Sequence, residues 1–342
     1  MNTRLLDGFG STLAICVILP AMAGSWWRYN FEASTPQPPV LSGTLKTGRM
    51  EFGGRERTYS FYAPPKAGKS MPLVVALHGA NSDGERLRAM TGYELDVLAD
   101  RNGFVVAYPN SFAGDWNDCR VAASNHARRH GIDDVGFVKA LVGAFRTQFD
   151  SAGPAYVLGY SDGGQMVYRL ALESPEVFMA AAAIAANLPE EADSDCEASQ
   201  SPVSLAILNG TEDRIDPFLG GRGTAGVVRS AEESARYFAG LMGYQGSPRV
   251  ECLGKSARDS SSWVEQRTWS GEAGSEVMLL AIHGGGHTIP QAIVRMPRNL
   301  GPTSGIIDAP QEVWRFFARH NVPAMGLSTS VKPVRKIEKG HV

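Results

Sequence analysis

The stretch Ala155-Tyr156-Val157-Leu158-Gly159-Tyr160-Ser161-Asp162-Gly163, followed by Gly164 and Gln165-Met166-Val167-Tyr168-Arg169-Leu170-Ala171-Leu172, reads as three pieces in succession. Residues 155–158 are a short apolar run of the kind a buried strand shows. Residues 159–163 are G-x-S-x-G. Residues 165–172 carry a helical pattern. Strand, tight turn and helix form the context in which a serine is held in a strained backbone conformation. Glycines two before and two after it keep strand and helix from clashing. The hydroxyl is then exposed at a helix N-terminus, where developing negative charge is favoured. Ser161 is therefore the candidate nucleophile.

Composition bounds what surrounds this turn. The chain has 342 residues, 43% hydrophobic and 20% charged, enough for one large core. A formal net charge of −2 leaves no nucleic-acid footprint. The N-terminus reads as a secretory signal over residues 1–23. Arg4 gives a positive start, residues 9–23 are mainly apolar, and Ala21-Met22-Ala23 is an A-x-A cleavage site. The apolar run is short for a membrane span, so no stable membrane insertion is expected after cleavage, with an uncleaved anchor as the alternative. The expected location is periplasmic or secreted. Leu13-Ala14-Ile15-Cys16 faintly resembles a lipidation box, but Ile15 is too large for the residue before a lipidated cysteine. With Cys16 removed, Cys119, Cys196 and Cys252 remain, allowing one disulfide and one free thiol in any of three pairings. Their spacing carries no zinc signature, so no metal is expected.

Residues 24–42 contain Ser34-Thr35-Pro36-Gln37-Pro38-Pro39, a linker-like composition, and 323–342 form a basic tail expected to be disordered. Between them, 43–322 alternates apolar runs with helical patterns. Strands are expected at 58–63, 73–77, 104–108, 155–158, 180–185, 205–208 and 277–282. Helices are expected at 87–101, 136–149 with Asp133 or Asp134 at its cap, 164–173, 230–242 and 310–320. Near-continuous apolar strands separated by helices predict one α/β domain on a mostly parallel, buried sheet with helices on both faces.

A serine hydroxyl needs a base to take its proton and an acid to orient that base. In this fold class the chain order is serine, acid, histidine. The acid candidates follow the run 205–208, in Asn209-Gly210-Thr211-Glu212-Asp213-Arg214-Ile215-Asp216-Pro217. Asp213 is the expected acid and Asp216 the runner-up. Histidines before Ser161 violate the order, His341 lies in the tail, and His320 ends a helix, where a surface position is expected. His283 is still at a strand end. His287, on the loop Gly284-Gly285-Gly286-His287, is the expected base. The oxyanion needs two backbone donors. Asp162 is one and Ala80, in Leu77-His78-Gly79-Ala80-Asn81, the other, with His78 holding that loop.

Taken in order, L-H-G at 77–79, W-N-D at 116–118, D-D-V-G-F at 133–137, G-Y-S-D-G-G at 159–164, G-T-E-D-R-I-D-P at 210–217 and G-G-G-H-T at 284–288 resemble the bacterial polyhydroxybutyrate depolymerase/feruloyl esterase group, close to carbohydrate esterase family 1. The resemblance covers about residues 45–320. It implies an exported serine esterase with the α/β-hydrolase fold, with Ser161, Asp213 and His287 as its triad and no cofactor. Where Asp216 stands, the group usually has a small or apolar residue. Where Phe218 stands, Tyr is common, and the tryptophan motif here runs into Cys119-Arg120.

The expected partner is an ester, either a small molecule or a polysaccharide or polyester, with Trp116, Phe112 and Phe218 candidates for an aromatic wall. Depolymerases of solid polyester in this group carry an extra binding module, for which no room follows the esterase region. A soluble feruloylated or acetylated sugar, or a short hydroxybutyrate oligomer, is therefore favoured. The alternatives are a peptidase on the same fold and a non-catalytic binding protein, the latter disfavoured because such relatives lose a triad member.

Overall fold

In a computed structural model, residues 32–34, 36–65, 68–199, 203–257, 261–270 and 274–320 are described. The expected signal segment 1–23 and the tail 323–342 lie outside them. The described strands are β1 (Thr44–Phe52), β2 (Arg55–Ala63), β3 (Leu73–Leu77), β4 (Val105–Pro109), β5 (Ala155–Tyr160), β6 (Ala180–Ile184), β7 (Ser204–Gly210), β8 (Gly221–Gly223), β9 (Gly226–Val228), β10 (Arg249–Lys255), β11 (Trp263–Ser270) and β12 (Glu276–His283). Ten of them form one sheet in the order β1-β2-β4-β3-β5-β6-β7-β12-β11-β10, while β8 and β9 pair separately. From β4 to β12 every pairing in the sheet is parallel. The two flanks are antiparallel. The architecture is α/β, with a parallel centre and antiparallel edges.

The parallel strands are buried on both faces because their side chains alternate between two cores. Val75, Leu77, Leu205, Ile207 and Leu279 face one. Val74, Ala76, Ala206, Leu208 and Leu280 face the other. The first core is covered by α4 (Asp134–Gln148), α5 (Asp162–Glu173) and α6 (Ala231–Leu241), through Phe137, Leu141, Met166, Leu170 and Phe238. The second is covered by α1 (Gly84–Met90), α2 (Glu94–Asn102) and α7 (Ala309–Arg319), through Leu87, Leu95, Leu98, Val313 and Phe317. A short α3 (His126–Arg129) lies outside both. Helix starts follow capping chemistry. The Asp133 side chain accepts from the Gly136 N–H, and Ser230 with Glu233 closes a capping box.

Four expectations need correcting. The helix expected at 87–101 is two helices, because Gly92 and Tyr93 adopt φ values of 66° and 60° and turn the chain between them. Strands β1, β8, β9, β10 and β11 lie outside the expected set. β1 and β10 are sheet edges with mostly exposed side chains, so they carry no apolar run. Part of the stretch expected as linker is packed: Ala33 and Leu41 lie against the second core, and the Ser34 N–H donates to the Arg295 carbonyl at 2.8 Å. His320 is buried rather than on the surface, 3.2 Å from Glu276 Oε1 and edge-on to Phe316.

Because β3, β5, β7 and β12 are parallel and nearly in register, their carboxyl ends lie along one edge of the sheet. Leu77 pairs with Gly159, Tyr160 with Ile184, and Gly210 with Ile282. The loops that leave this edge carry every residue singled out above as a triad or oxyanion candidate. In open parallel sheets, ligands bind at that edge.

Candidate active site

Ser161 sits between β5 and α5 with φ 56° and ψ −117°, a conformation non-glycine residues rarely adopt. Its N–H donates to the Ile184 carbonyl at 2.9 Å, and its carbonyl accepts from the Gln165 N–H at 2.9 Å, which closes the first helical turn. The flanking glycines are required by contact distances. A Cβ on Gly159 would stand 2.1 Å from the Gly163 carbonyl oxygen. One on Gly163 would stand 2.2 Å from the Leu77 carbonyl oxygen. The turn therefore crosses the end of β3 at backbone contact.

Three side chains from three loops meet here. His287 Nε2 lies 2.8 Å from Ser161 Oγ. His287 Nδ1 lies 2.7 Å from Asp213 Oδ2. Asp213 Oδ1 accepts the N–H groups of Ile215 and Asp216 at 2.8 and 2.9 Å, which fixes the carboxylate. The imidazole is held from behind: Tyr160 Oη donates to the His287 carbonyl at 2.8 Å, and the His287 N–H donates to the Leu300 carbonyl at 2.6 Å. His287 and Asp213 are 3% and 6% exposed, so little water competes for these hydrogen bonds. Such a chain can pass a proton from hydroxyl to imidazole while the carboxylate stabilises the imidazolium.

Ala80 and Asp162, the expected oxyanion donors, both line the cavity that contains Ser161. Gly79 brings the loop after β3 close, since a Cβ on it would stand 3.3 Å from Ser161 Cβ. Asp162 is the first residue of α5, where backbone N–H groups lack an intrahelical acceptor. His78 holds that loop from within. It is fully buried, its Nδ1 stands 2.7 Å from the Gly79 carbonyl, and its Nε2 accepts the Ser111 N–H at 3.1 Å. Burial pushes this imidazole below its ordinary pKa, as an accepting nitrogen requires. His283 stays at its strand end, stacked on Trp263 at 3.9 Å.

The aromatic wall does not form. Trp116 is fully buried, and its Nε1 donates to the His78 carbonyl at 2.9 Å. Phe218 is half-buried against the first core, and the Phe112 ring lies tilted beside that of His130, centroids 5.8 Å apart. None of the three lines the cavity, whose volume is about 1070 Å³ and whose wall beside Ser161 is instead polar. Asp162, Gln165, Asp216 and Arg120 form that wall.

In the sequence Arg120 stands out only as a departure at the end of the tryptophan motif, with no role attached; the fold gives it one. Its guanidinium bonds Asp118 at 2.6 Å and also bonds Asp162. Asp162 Oδ2 accepts the Trp116 N–H at 2.9 Å. The motif is thus a brace that ties the loop at 116–120 to the residue after Ser161. D-D-V-G-F has a similar role. Asp134 is fully buried and accepts from Arg57 Nη2 at 2.7 Å and from the Asn117 N–H at 2.9 Å. Burial, with Asp118 nearby, pushes the Asp162 carboxyl up to about 7 against the opposing pull of Arg120. Asp216 is likewise pushed up to about 7, chiefly by burial and then by Asp213, while His287 and Arg120 pull it down.

Cys119 and Cys196 form a disulfide beside this brace, which settles the pairing and leaves Cys252 free and exposed. Among the described residues no group of three or more His, Cys, Asp or Glu is placed to hold a metal ion, and no helix is long and apolar enough to cross a membrane.

Comparison with known proteins agrees with this fold. Residues 57–203 match the family described as "Esterase PHB depolymerase". The "Putative esterase NocK" of Nocardia uniformis subsp. tsuyamanensis is 28% identical over 76% of this chain and 78% of its own length. The "Probable feruloyl esterase C" of Aspergillus niger is 25% identical over 80% of this chain and 87% of its own. Among solved structures, an acetyl xylan esterase from Aspergillus awamori superimposes with a TM-score of 0.53 at 19% identity, over 72% of this chain and 95% of that one.

Proposed function

We propose that this carboxylic ester hydrolase, similar to the polyhydroxybutyrate depolymerase/feruloyl esterase group of α/β-hydrolases, works by two-step acyl transfer through Ser161. The observation that carries this reading is the continuous contact from Asp213 through His287 to Ser161. His287 takes the Ser161 proton as Oγ attacks the ester carbonyl. The N–H groups of Ala80 and Asp162 stabilise the tetrahedral oxyanion. His287 then protonates the leaving alcohol, and water repeats the sequence on the acyl-enzyme to release the acid and free Ser161. Asp213 holds the imidazole in the working tautomer throughout.

The substrate proposed is a soluble ester: a feruloylated or acetylated sugar, or a short hydroxybutyrate-type oligomer. Feruloyl and acetylxylan esterases among the relatives support that range. Export to the periplasm or beyond is proposed with it. The N-terminal signal pattern supports it, as does the Cys119–Cys196 disulfide, a bond that persists in oxidising compartments. Side-by-side kcat/KM values for methyl ferulate, acetylated xylan and 3-hydroxybutyrate oligomers test the substrate range. Turnover of none of them, beside turnover of a peptide, would replace the esterase by the peptidase alternative.

A further inference from the structure

We propose that Asp216 is a specificity-determining residue. It accepts a hydrogen bond from a donor on the bound ester, a hydroxyl or an ammonium, so that donor-bearing esters are turned over in preference to their unsubstituted counterparts. The proposal rests on the serine esterase reading above.

Asp216 lies three residues past Asp213 on the loop after β7, and its N–H anchors it to the Asp213 carboxylate. Its side chain lines the same cavity as Ser161 and His287, and the residue is 8% exposed. An ionised carboxylate offers about four acceptor positions. Gln165 Nε2 fills one, donating to Oδ2 at 2.8 Å. The enclosed Oδ1 has no hydrogen-bond partner among the described residues, and neither does Gln165 Oε1. Gln165 is one helical turn past Ser161 and shares the same wall. In the ionised form of Asp216, the same wall thus carries two acceptors with no donor to serve them.

No structural task accounts for this. A carboxylate that leaves water for a single hydrogen bond destabilises the fold, and buried polar groups in natural proteins are otherwise paired. An apolar side chain would fill the space at less cost. The neighbouring cation is already committed. Arg120 bonds Asp118 and Asp162, and it must also balance Asp216. A wall rich in acceptors and short of positive charge favours a substrate that brings a donor and disfavours one that brings a carboxylate. The soft Cβ–Cγ torsion of aspartate lets either oxygen turn toward that donor.

The test compares matched esters within each enzyme, so the active fraction cancels. On the acyl side the series is p-nitrophenyl butyrate, 3-hydroxybutyrate and 3-aminobutyrate. On the alcohol side it is propyl butyrate against glycerol monobutyrate. In the wild type, kcat/KM should favour the donor-bearing member of at least one series by about 10- to 100-fold. In Asp216→Val that preference should fall to about one, while thermal stability is kept or raised. Asp216→Asn, which keeps the shape and removes the charge, should lose an ammonium preference more fully than a hydroxyl preference, which separates the two donors. Ordinary turnover of p-nitrophenyl butyrate with the same ratios in wild type and Asp216→Val would overturn the subsite alone. Absence of that turnover in the wild type, or its survival in Ser161→Ala, would overturn the esterase mechanism and the subsite with it.

Discussion

His287 Nε2 stands 2.8 Å from Ser161 Oγ although 126 residues separate the two in the chain. The contact exists because β5 and β12 end on the same edge of the sheet. Ser161 is fixed there by a turn with no room for a side chain at Gly159 or Gly163. His287 is fixed by hydrogen bonds from its own backbone and to its carbonyl, so both partners are placed before any substrate arrives. Pre-organisation of this kind lowers the reorganisation needed in the transition state.

The acid can be assigned by paired substitutions. Asp213→Asn should lower kcat for p-nitrophenyl butyrate by roughly 10³- to 10⁴-fold, because a neutral amide can hold His287 in the wrong tautomer. Asp216→Asn should lower it by less than about tenfold, since this ester brings no donor to the wall. Steady-state kinetics on the two variants decide the matter, and a reversed order would make Asp216 the acid.

Stability should depend on pH through Asp216. Burial pushes its native carboxyl up to about 7, whereas an unfolded aspartate titrates at about 4. Between these values the folded protein keeps a proton that the unfolded chain has released. Stability therefore falls as pH rises through that window and levels off above it. Asp162 shares the direction and stays in both proteins. The melting temperature of Asp216→Asn should thus exceed that of the wild type by more at about pH 8 than at about pH 4. A gap independent of pH, measured by calorimetry, would contradict this cause.

Most of the centre was legible in the sequence, and most of the edge was not. β3, β5, β7 and β12 are buried on both faces, so each shows as an unbroken apolar run. β1 and β10 face solvent at the edges and show no such run. The turn at Ser161 and the loops that carry Asp213 and His287 stand out because their glycines and polar residues interrupt apolar runs at fixed places. The role of Arg120 does not. A lone arginine after W-N-D-C carries no periodicity, and its partners Asp118 and Asp162 are assembled only by the fold. Trp116 illustrates the opposite failure. An aromatic near the site reads as a substrate wall, but its indole N–H has a better partner inside, the His78 carbonyl.

The brace predicts a specific loss. Arg120→Gln leaves Asp118 and Asp162 facing each other in a buried wall, and breaking such a buried pair costs about 3 to 5 kcal/mol. Chemical denaturation should show a drop of that order, with kcat/KM reduced because Asp162 is the residue after Ser161. An unchanged midpoint would mean that the wall relaxes without its guanidinium.

The disulfide should matter to stability more than to chemistry. It closes a loop spanning 77 residues, and removing such a bond typically costs about 2 to 5 kcal/mol. A Cys119→Ala/Cys196→Ala variant should unfold at lower denaturant while keeping the Ser161 reactivity of its folded fraction. Equal unfolding midpoints under oxidising and reducing conditions would show that the bond contributes nothing.

The whole mechanism turns on Ser161 as the nucleophile. The most direct measurement is covalent labelling by a fluorophosphonate, followed by peptide mapping. With Ser161 as nucleophile, modification is stoichiometric at Ser161, ester turnover is lost in step with labelling, and folded Ser161→Ala is not labelled. Modification at a different serine, or full turnover after Ser161 is blocked, would contradict it.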